Sequence, residues 1–115
     1  MSWIDRAAAL LFPLLVSCGT AQSDAAQVCP VREAKPLRFV DVFDGPPEEA
    51  ATLMPDVAQP QQGEWKLGYV YDAGRFVSIR CKYTDGQTAE VKLSQRVEWC
   101  RYAIDSSKTL KLNCQ

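Results

Sequence analysis

The sequence predicts a mainly β domain, in which a small antiparallel meander of five to six strands curls into a barrel or sandwich, with one short helix and two disulfides. Three observations favour this fold class: short runs that alternate apolar and polar residues, glycine-ended turns between them, and four cysteines behind an export-like leader. The chain has 115 residues, 47% of them hydrophobic, which is enough for one small domain.

The first residues resemble an export signal. Residues 7–16 are almost wholly apolar, too short a run to span a bilayer but suited to the apolar part of a secretory signal. The four letters LVSC that end at Cys18 resemble a bacterial lipobox. We therefore expect residues 1–17 to be removed as a signal peptide, Cys18 to be lipidated, and residues 18–28 to form a flexible tether.

Other interpretations of this leader stay open. Cleavage near Ala21 or Ala25 would leave an unlipidated periplasmic protein, and the apolar run could also be a buried helix. Both export routes lead to an oxidising compartment. Because Gly19 is no inner-membrane retention signal, a lipid anchor would favour the outer membrane. The folded domain is expected over residues 29–115.

The remaining cysteines predict disulfides. Without Cys18 there are four, which in an exported domain form two bridges in one of three pairings. If the last two strands pair so that Cys100 lies opposite Cys114, these two can bond, and Cys29 is left to bond with Cys81. A domain of this size needs such crosslinks because its core alone gives marginal stability.

Alternation and turn residues place the strands. Two three-residue loops that end in glycine, 72–74 and 84–86, fit a type I turn followed by a G1 bulge. The first loop would set Trp65 opposite Cys81, and the second sets Cys81 opposite Ala89. The predicted strands are 37–43, 64–71, 75–83, 87–94, 97–104 and 109–114. Their shared apolar face would comprise Trp65, Leu67, Tyr69, Tyr71, Val77, Ile79, Cys81, Tyr83, Ala89, Val91 and Leu93.

The middle of the chain is acidic and rich in proline. Prolines and acids frame a short helix over about 47–53, and residues 57–63 show no hydrophobic period and are expected to form a loop. Residues 39–65 contain six acids and no base, whereas residues 66–115 contain nine bases and five acids. Such an acidic segment on a rigid sheet can dock a basic partner. The predicted partner-binding residues are Asp44, Glu48, Glu49 and Asp56.

A more ordinary interpretation has these acids meet the basic face of the same molecule. Catalysis is not expected: the chain has no histidine, and the adjacent Glu48 and Glu49 cannot face each other across a cleft. A calcium site at Asp41 and Asp44 lacks the EF-hand spacing. We therefore predict no enzyme activity, no metal and no cofactor. A net charge of −1 argues against a nucleic-acid partner.

Several short motifs between residues 29 and 100 resemble a known family. They are Cys29-Pro30, Phe43-Asp44-Gly45-Pro46-Pro47-Glu48, Leu53 with Pro55-Asp56, Trp65-Lys66-Leu67, Ile79-Arg80-Cys81-Lys82-Tyr83 and Cys100. The family consists of small, little-characterised proteobacterial envelope proteins whose genes often lie near type VI secretion genes. The resemblance implies a periplasmic inhibitor or immunity protein that binds and blocks a peptidoglycan-targeting enzyme, first of all a type VI effector.

Two other functions remain open at this point. The chain is also similar, more weakly, to small β-barrel lipoproteins that inhibit lysozyme, through its size and its aromatic and cysteine strand pattern. A structural envelope lipoprotein that inhibits nothing is the second alternative. All three functions imply a protein or envelope partner, no nucleic acid, and contact with a membrane only through the lipid at Cys18.

Overall fold

The computed structural model describes residues 27–115. The predicted signal peptide, Cys18 and most of the predicted tether lie outside the described residues. At the start of the described chain, Gln27 forms a β-bridge with Asn113, and the Val28 amide donates a hydrogen bond to the Leu112 carbonyl at 3.0 Å. Within residues 27–115, no helix is both long enough and apolar enough to cross a membrane.

Seven strands within residues 27–115 form two antiparallel sheets that pack face to face. One sheet has the strand order β1-β4-β5 and the other the order β2-β3-β6-β7. The mainly β, sandwich-like architecture is as predicted, and the described strands do not close into a barrel. The elements are β1 (Leu37–Asp44), a 3-10 helix (Pro47–Glu49), β2 (Val57–Gln59), β3 (Gln62–Lys66), α1 (Gly68–Asp72), β4 (Val77–Tyr83), β5 (Thr88–Leu93), β6 (Trp99–Ile104) and β7 (Leu110–Cys114).

The core lies between the two sheets and is centred on β4. Val77, Ile79 and Cys81 point inward from β4 and are fully buried, because alternate residues of a strand face the same side. Val42 of the adjacent strand β1 and Leu112 of β7 in the opposite sheet belong to the same buried cluster. Burying such aliphatic side chains is the main favourable contribution to folding, about 1.5–3 kcal/mol each.

Two of the predicted hairpins are confirmed with their registers. In the β4–β5 pair, Cys81 lies opposite Ala89 and Ile79 opposite Val91, as the turn at 84–86 requires. In the β6–β7 pair, Cys100 lies opposite Cys114, and Tyr102 opposite Leu112. The inward residues of β5 are only half buried, because β5 lies at the edge of its sheet.

Two disulfides are present within residues 27–115, as predicted. One joins Cys29 to Cys81 and ties the segment before β1 to the central strand, with 5.9 Å between the Cα atoms. The other joins Cys100 to Cys114 directly across the β6–β7 ladder, with 4.0 Å between the Cα atoms. The Tyr83 hydroxyl adds a further attachment for the segment before β1, since it donates to the Pro30 carbonyl at 2.6 Å.

The predicted hairpin between 64–71 and 75–83 is wrong. Strand β3 ends at Lys66, and the chain turns into α1, so Trp65 pairs with Cys100 of β6 and not with Cys81. The apolar residues from Leu67 to Tyr71 also fit the spacing of a helix. In α1, Val70 is buried and Tyr69 is 57% exposed. Tyr69 is therefore not part of the apolar face.

The predictions for the middle segment are corrected too. The helix expected over 47–53 is a single 3-10 turn that ends at Glu49, because Ala50 adopts a left-handed conformation with φ of 58°. The loop expected over 57–63 contains β2, which pairs with β3. Every residue of β2 is exposed, so its sequence has no hydrophobic period, and only backbone pairing makes it a strand.

Candidate functional site

Arg75 binds two of the predicted partner-binding acids. Its guanidinium donates to the Asp44 carboxylate at 2.7 Å and to the Glu49 carboxylate at 2.5 Å. The hydrogen bond to Asp44, followed by the one to Glu49, raises the pKa of Arg75 above its ordinary value. These carboxylates therefore already have a cation within the molecule, and a partner would have to replace it.

The turn at Gly45 brings Asp44, Glu49 and Arg75 together. Gly45 has φ of 89°, which favours glycine, and its amide donates to the Phe76 carbonyl at 2.7 Å. A Cβ atom at this position would overlap the Arg75 guanidinium. The DGPP motif thus has a structural reason that is independent of any partner.

The other two predicted contact residues differ from each other. Asp56 accepts a hydrogen bond from the Lys66 amide at 2.6 Å, so its carboxylate caps the end of the β2–β3 ladder. Glu48 is exposed and makes no hydrogen bond or ion pair with the described residues. Of the four predicted acids, Glu48 is therefore the one whose carboxylate is open to a partner without loss of an internal contact.

The opposite charges of the two chain halves meet within the fold. Lys82 pairs with Asp41 at 2.8 Å, and Arg101 pairs with Glu64 at 2.6 Å. Both pairs join the acidic middle segment to the basic second half across neighbouring strands. Pairing within the molecule thus accounts for much of the separation of acidic and basic residues along the chain. Exposed pairs of this kind contribute little to stability.

A largely apolar cleft opens where β1 meets the second sheet. Its volume is about 320 Å³. Residues 39–42 and 52–55 form one wall, and Trp65, Tyr102 and Ile104 form the other. Sequence analysis missed this cleft because it combines segments from both sheets that are distant along the chain.

Two of the residues that line the cleft have large, exposed apolar side chains. Phe39 is 54% exposed and Met54 is 81% exposed, and both belong to the cleft wall. The Trp65 indole donates to the Leu53 carbonyl at 3.0 Å and so fixes the segment that presents Met54. Exposed apolar side chains beside a preformed cleft are typical of a surface that binds a protein or a small apolar group.

A β-bulge turns Phe39 outward. The register of β1 against β4 shifts between Leu37 and Phe39, so Arg38 and Phe39 both face solvent while Leu37 and Val40 are buried. Bulges of this kind re-aim side chains at functional edges.

A polar cavity adjoins the cleft. It measures about 370 Å³, shares Pro60 and Ile104 with the cleft, and is lined by Arg38, Lys108 and Asp105 among others. Within residues 27–115, no group of three or more His, Cys, Asp or Glu side chains could hold a metal ion. The cleft supplies apolar surface, and the adjoining cavity supplies charged side chains.

Comparison with known proteins identifies the family. The family model described as the type VI secretion system Tli immunity protein matches residues 31–115. No curated protein matches the chain, and no solved structure matches it. The matched region comprises nearly all of the domain described above and well over half of the chain. The chain belongs to the Tli immunity protein family of the type VI secretion system.

Proposed function

We propose that this chain is an immunity protein that binds a type VI effector in the periplasm and blocks its activity by occupying its surface. The family match over residues 31–115 is the observation on which the proposal rests. Two disulfides in a domain this small agree with an exported, oxidising location.

Binding without chemistry is the mechanism that fits this domain. A crosslinked sandwich loses little conformational entropy on association, so more of the contact energy contributes to affinity. A stable complex of standard size covers about 800 Å² on each partner. The cleft together with its exposed rim of Phe39 and Met54 supplies an apolar centre for an area of that size.

The nature of the effector is a finer part of the proposal. The resemblance of the motifs implies an enzyme that attacks peptidoglycan. The purified chain should be titrated against the type VI effectors of the same organism, with peptidoglycan and phospholipid hydrolysis measured in parallel. Inhibition of peptidoglycan hydrolysis at equal molar amounts supports the finer proposal, and inhibition of lipid hydrolysis alone replaces it with a membrane-attacking target.

The acidic segment remains a predicted contact, and Glu48 is its most informative residue. If Glu48 steers a basic partner, the Glu48→Lys variant should associate several-fold more slowly in low salt, and added salt should narrow the difference. Glu33 is an exposed acid outside the segment, so Glu33→Lys is the matched control. Equal association rates for all three proteins in low salt would remove the acidic segment from the interface.

Lipidation at Cys18 is proposed as the means of anchoring. Mass spectrometry of the mature protein from the cell envelope should find an acylated amino-terminal cysteine and no residues 1–17. The Cys18→Ser variant should then appear in the soluble periplasmic fraction. A mature chain that begins at Ala21 or later would show instead that the protein is released in soluble form.

A further inference from the structure

Half of the outer edge of β1 is open. Beyond its ladder to β4, residues 38–41 make no backbone hydrogen bond within the described chain. The other half is covered: the Leu53 amide donates to the Val42 carbonyl at 2.7 Å, and the Asp44 amide donates to the Ala51 carbonyl at 2.9 Å. The segment 51–53 therefore runs along β1 like a short added strand and stops at the cleft.

This open edge forms part of the cleft wall. Val40 of β1 faces Trp65, Ile104 and Leu110 across a space of about 320 Å³. An extended peptide that continued the line of residues 51–53 could bond to the free edge and point one side chain into that space. Unpaired edge strands are ready-made templates for such pairing, and natural proteins usually cover or charge them.

The charge at this end of the cleft is positive. Arg38 and Lys108 line the adjoining cavity, and neither pairs with a carboxylate in residues 27–115. Asp105 lines it too, but its carboxylate accepts hydrogen bonds from the Ser107 hydroxyl at 2.6 Å and from two backbone amides of its own turn. The cavity lining thus carries two unpaired cations and one carboxylate whose Oδ1 is engaged within its own turn, and this net positive charge suits a carboxylate.

Lys108 occupies a position where glycine or asparagine is favoured. Its φ is 66°, a left-handed conformation that costs a lysine about 1 kcal/mol or more. Nothing within the described chain pairs with its ammonium group. A residue held in an unfavourable conformation without an internal contact suggests that its side chain acts outside the molecule.

We propose that the effector adds an extended segment to the open half of β1. One apolar side chain of this segment fills the cleft beside Phe39 and Met54, and a nearby Asp or Glu meets Arg38 and Lys108. This inference rests on the proposed function and deepens it, because it names the surface and the chemistry of the effector segment that it receives. The positive charge of the adjoining polar cavity favours an acidic segment, and the unpaired backbone groups of β1 favour an extended one.

Variants at the apolar rim test the cleft. Phe39→Ser removes exposed apolar surface, and Met54→Glu replaces it with a negative charge. Both side chains are exposed enough for the fold to be retained. Tyr69→Ser is the matched control, since Tyr69 is a similarly exposed aromatic, at 57% against 54% for Phe39. We expect each rim variant to weaken effector binding at least tenfold in calorimetry, and the control to stay within twofold.

Variants at the cationic end test the charge. Arg38→Glu should weaken binding at least tenfold in low salt and less in high salt, because exposed charges are screened. Lys66→Glu is the control, since Lys66 is exposed on β3 and lines neither cavity. Lys108→Gly should weaken binding several-fold while the melting temperature rises or holds, so its loss of affinity cannot come from unfolding.

The outcomes separate this inference from the proposed function. If the unaltered chain neither binds nor inhibits the effector, both are wrong. If it binds and inhibits, but the Phe39, Met54 and Arg38 variants keep full affinity, the docking surface is wrong and the immunity function stands. If the chain forms a dimer that Phe39→Ser dissociates, with effector affinity unchanged, the open edge serves a second copy and the inference is overturned.

Discussion

Removing the two disulfides one at a time should lower stability by unequal amounts. The Cys29–Cys81 bridge joins residues 52 positions apart, and the Cys100–Cys114 bridge joins residues 14 positions apart. In the chain-entropy model, loops of these lengths correspond to about 4 and about 3 kcal/mol. We therefore expect the Cys29→Ala/Cys81→Ala variant to be the less stable of the two.

The structure gives a second reason for this ranking. Cys29 and Cys81 are both buried in the core, whereas of the second pair only Cys100 is fully buried and Cys114 is half buried, so the first pair removes more packed sulfur. Cys100 and Cys114 remain aligned by the β6–β7 ladder when their bond is absent. Without its disulfide, the segment before β1 is held by exposed or single contacts, such as the hydrogen bonds from Val28 to Leu112 and from Tyr83 to Pro30 and the ion pair of Arg32 with Asp85.

Urea unfolding measures both losses. The transition should be followed by far-ultraviolet circular dichroism and by tryptophan fluorescence, with the slope of free energy against urea compared between variants. A domain with a stability of 5–15 kcal/mol in the typical range should still show a folded baseline after losing either bond. A loss of less than about 1 kcal/mol for either pair would refute the reasoning that these bonds stabilise the domain through loop closure.

Three further predictions concern single features of the fold. Ala50→Gly should raise the melting temperature by about 2–4 °C, because glycine accepts the left-handed φ of 58° that alanine tolerates poorly; calorimetry that finds no rise contradicts this. Gly63→Ala should cost more than about 2 kcal/mol in urea unfolding, because its Cβ would lie 2.6 Å from the Val57 carbonyl oxygen; a loss below about 1 kcal/mol would show that the β2–β3 hairpin can shift. Hydrogen bonds lower the pKa of three carboxylates in the folded state. Their contribution to the free energy of unfolding should therefore be fully present above about pH 5 and be lost as the pH falls further. Acid titration followed by circular dichroism checks this. The main cause of the lowered pKa is a hydrogen bond in each case. The donor is the Gln87 amide for Asp85, the Arg96 guanidinium for Glu98 and the Ser107 side chain for Asp105.

The second half of the fold could be predicted from sequence because one physical constraint dominates it. Strand β4 faces the core along its whole length, and a one-residue slip against β5 would bury Glu90 or Lys92. Gly86, with φ of 84°, then fits the left-handed position of a type I turn followed by a G1 bulge, which fixes the hairpin register. The same reasoning aligned Cys100 with Cys114.

The first half could not be predicted because local patterns there are ambiguous. From Trp65 to Tyr71 the apolar residues satisfy a strand period and a helix period equally well, and the pairing of Trp65 with Cys100 decides between them. Strand β2 has no apolar period because it lies fully exposed at a sheet edge. Such elements depend on contacts between residues far apart in the chain.

The candidate site shows the same limit. Acidic residues in one half of the sequence and basic residues in the other are visible as composition, but the pairing of Arg75 with Asp44 and Glu49 depends on the fold. Phe39 and Met54 are isolated apolar residues in the sequence, and they become neighbours of one cleft only when β1 and the segment 52–55 are placed together.

Calorimetric titration of the type VI effectors of the same organism with the intact, disulfide-bonded chain is the decisive test of the proposed immunity function. Each effector's enzymatic activity should be measured on the same samples. We expect a complex of one chain to one effector, with a dissociation constant below about 1 μM and activity lost as that ratio is reached. No heat of binding and undiminished activity at a tenfold excess of the chain would contradict it.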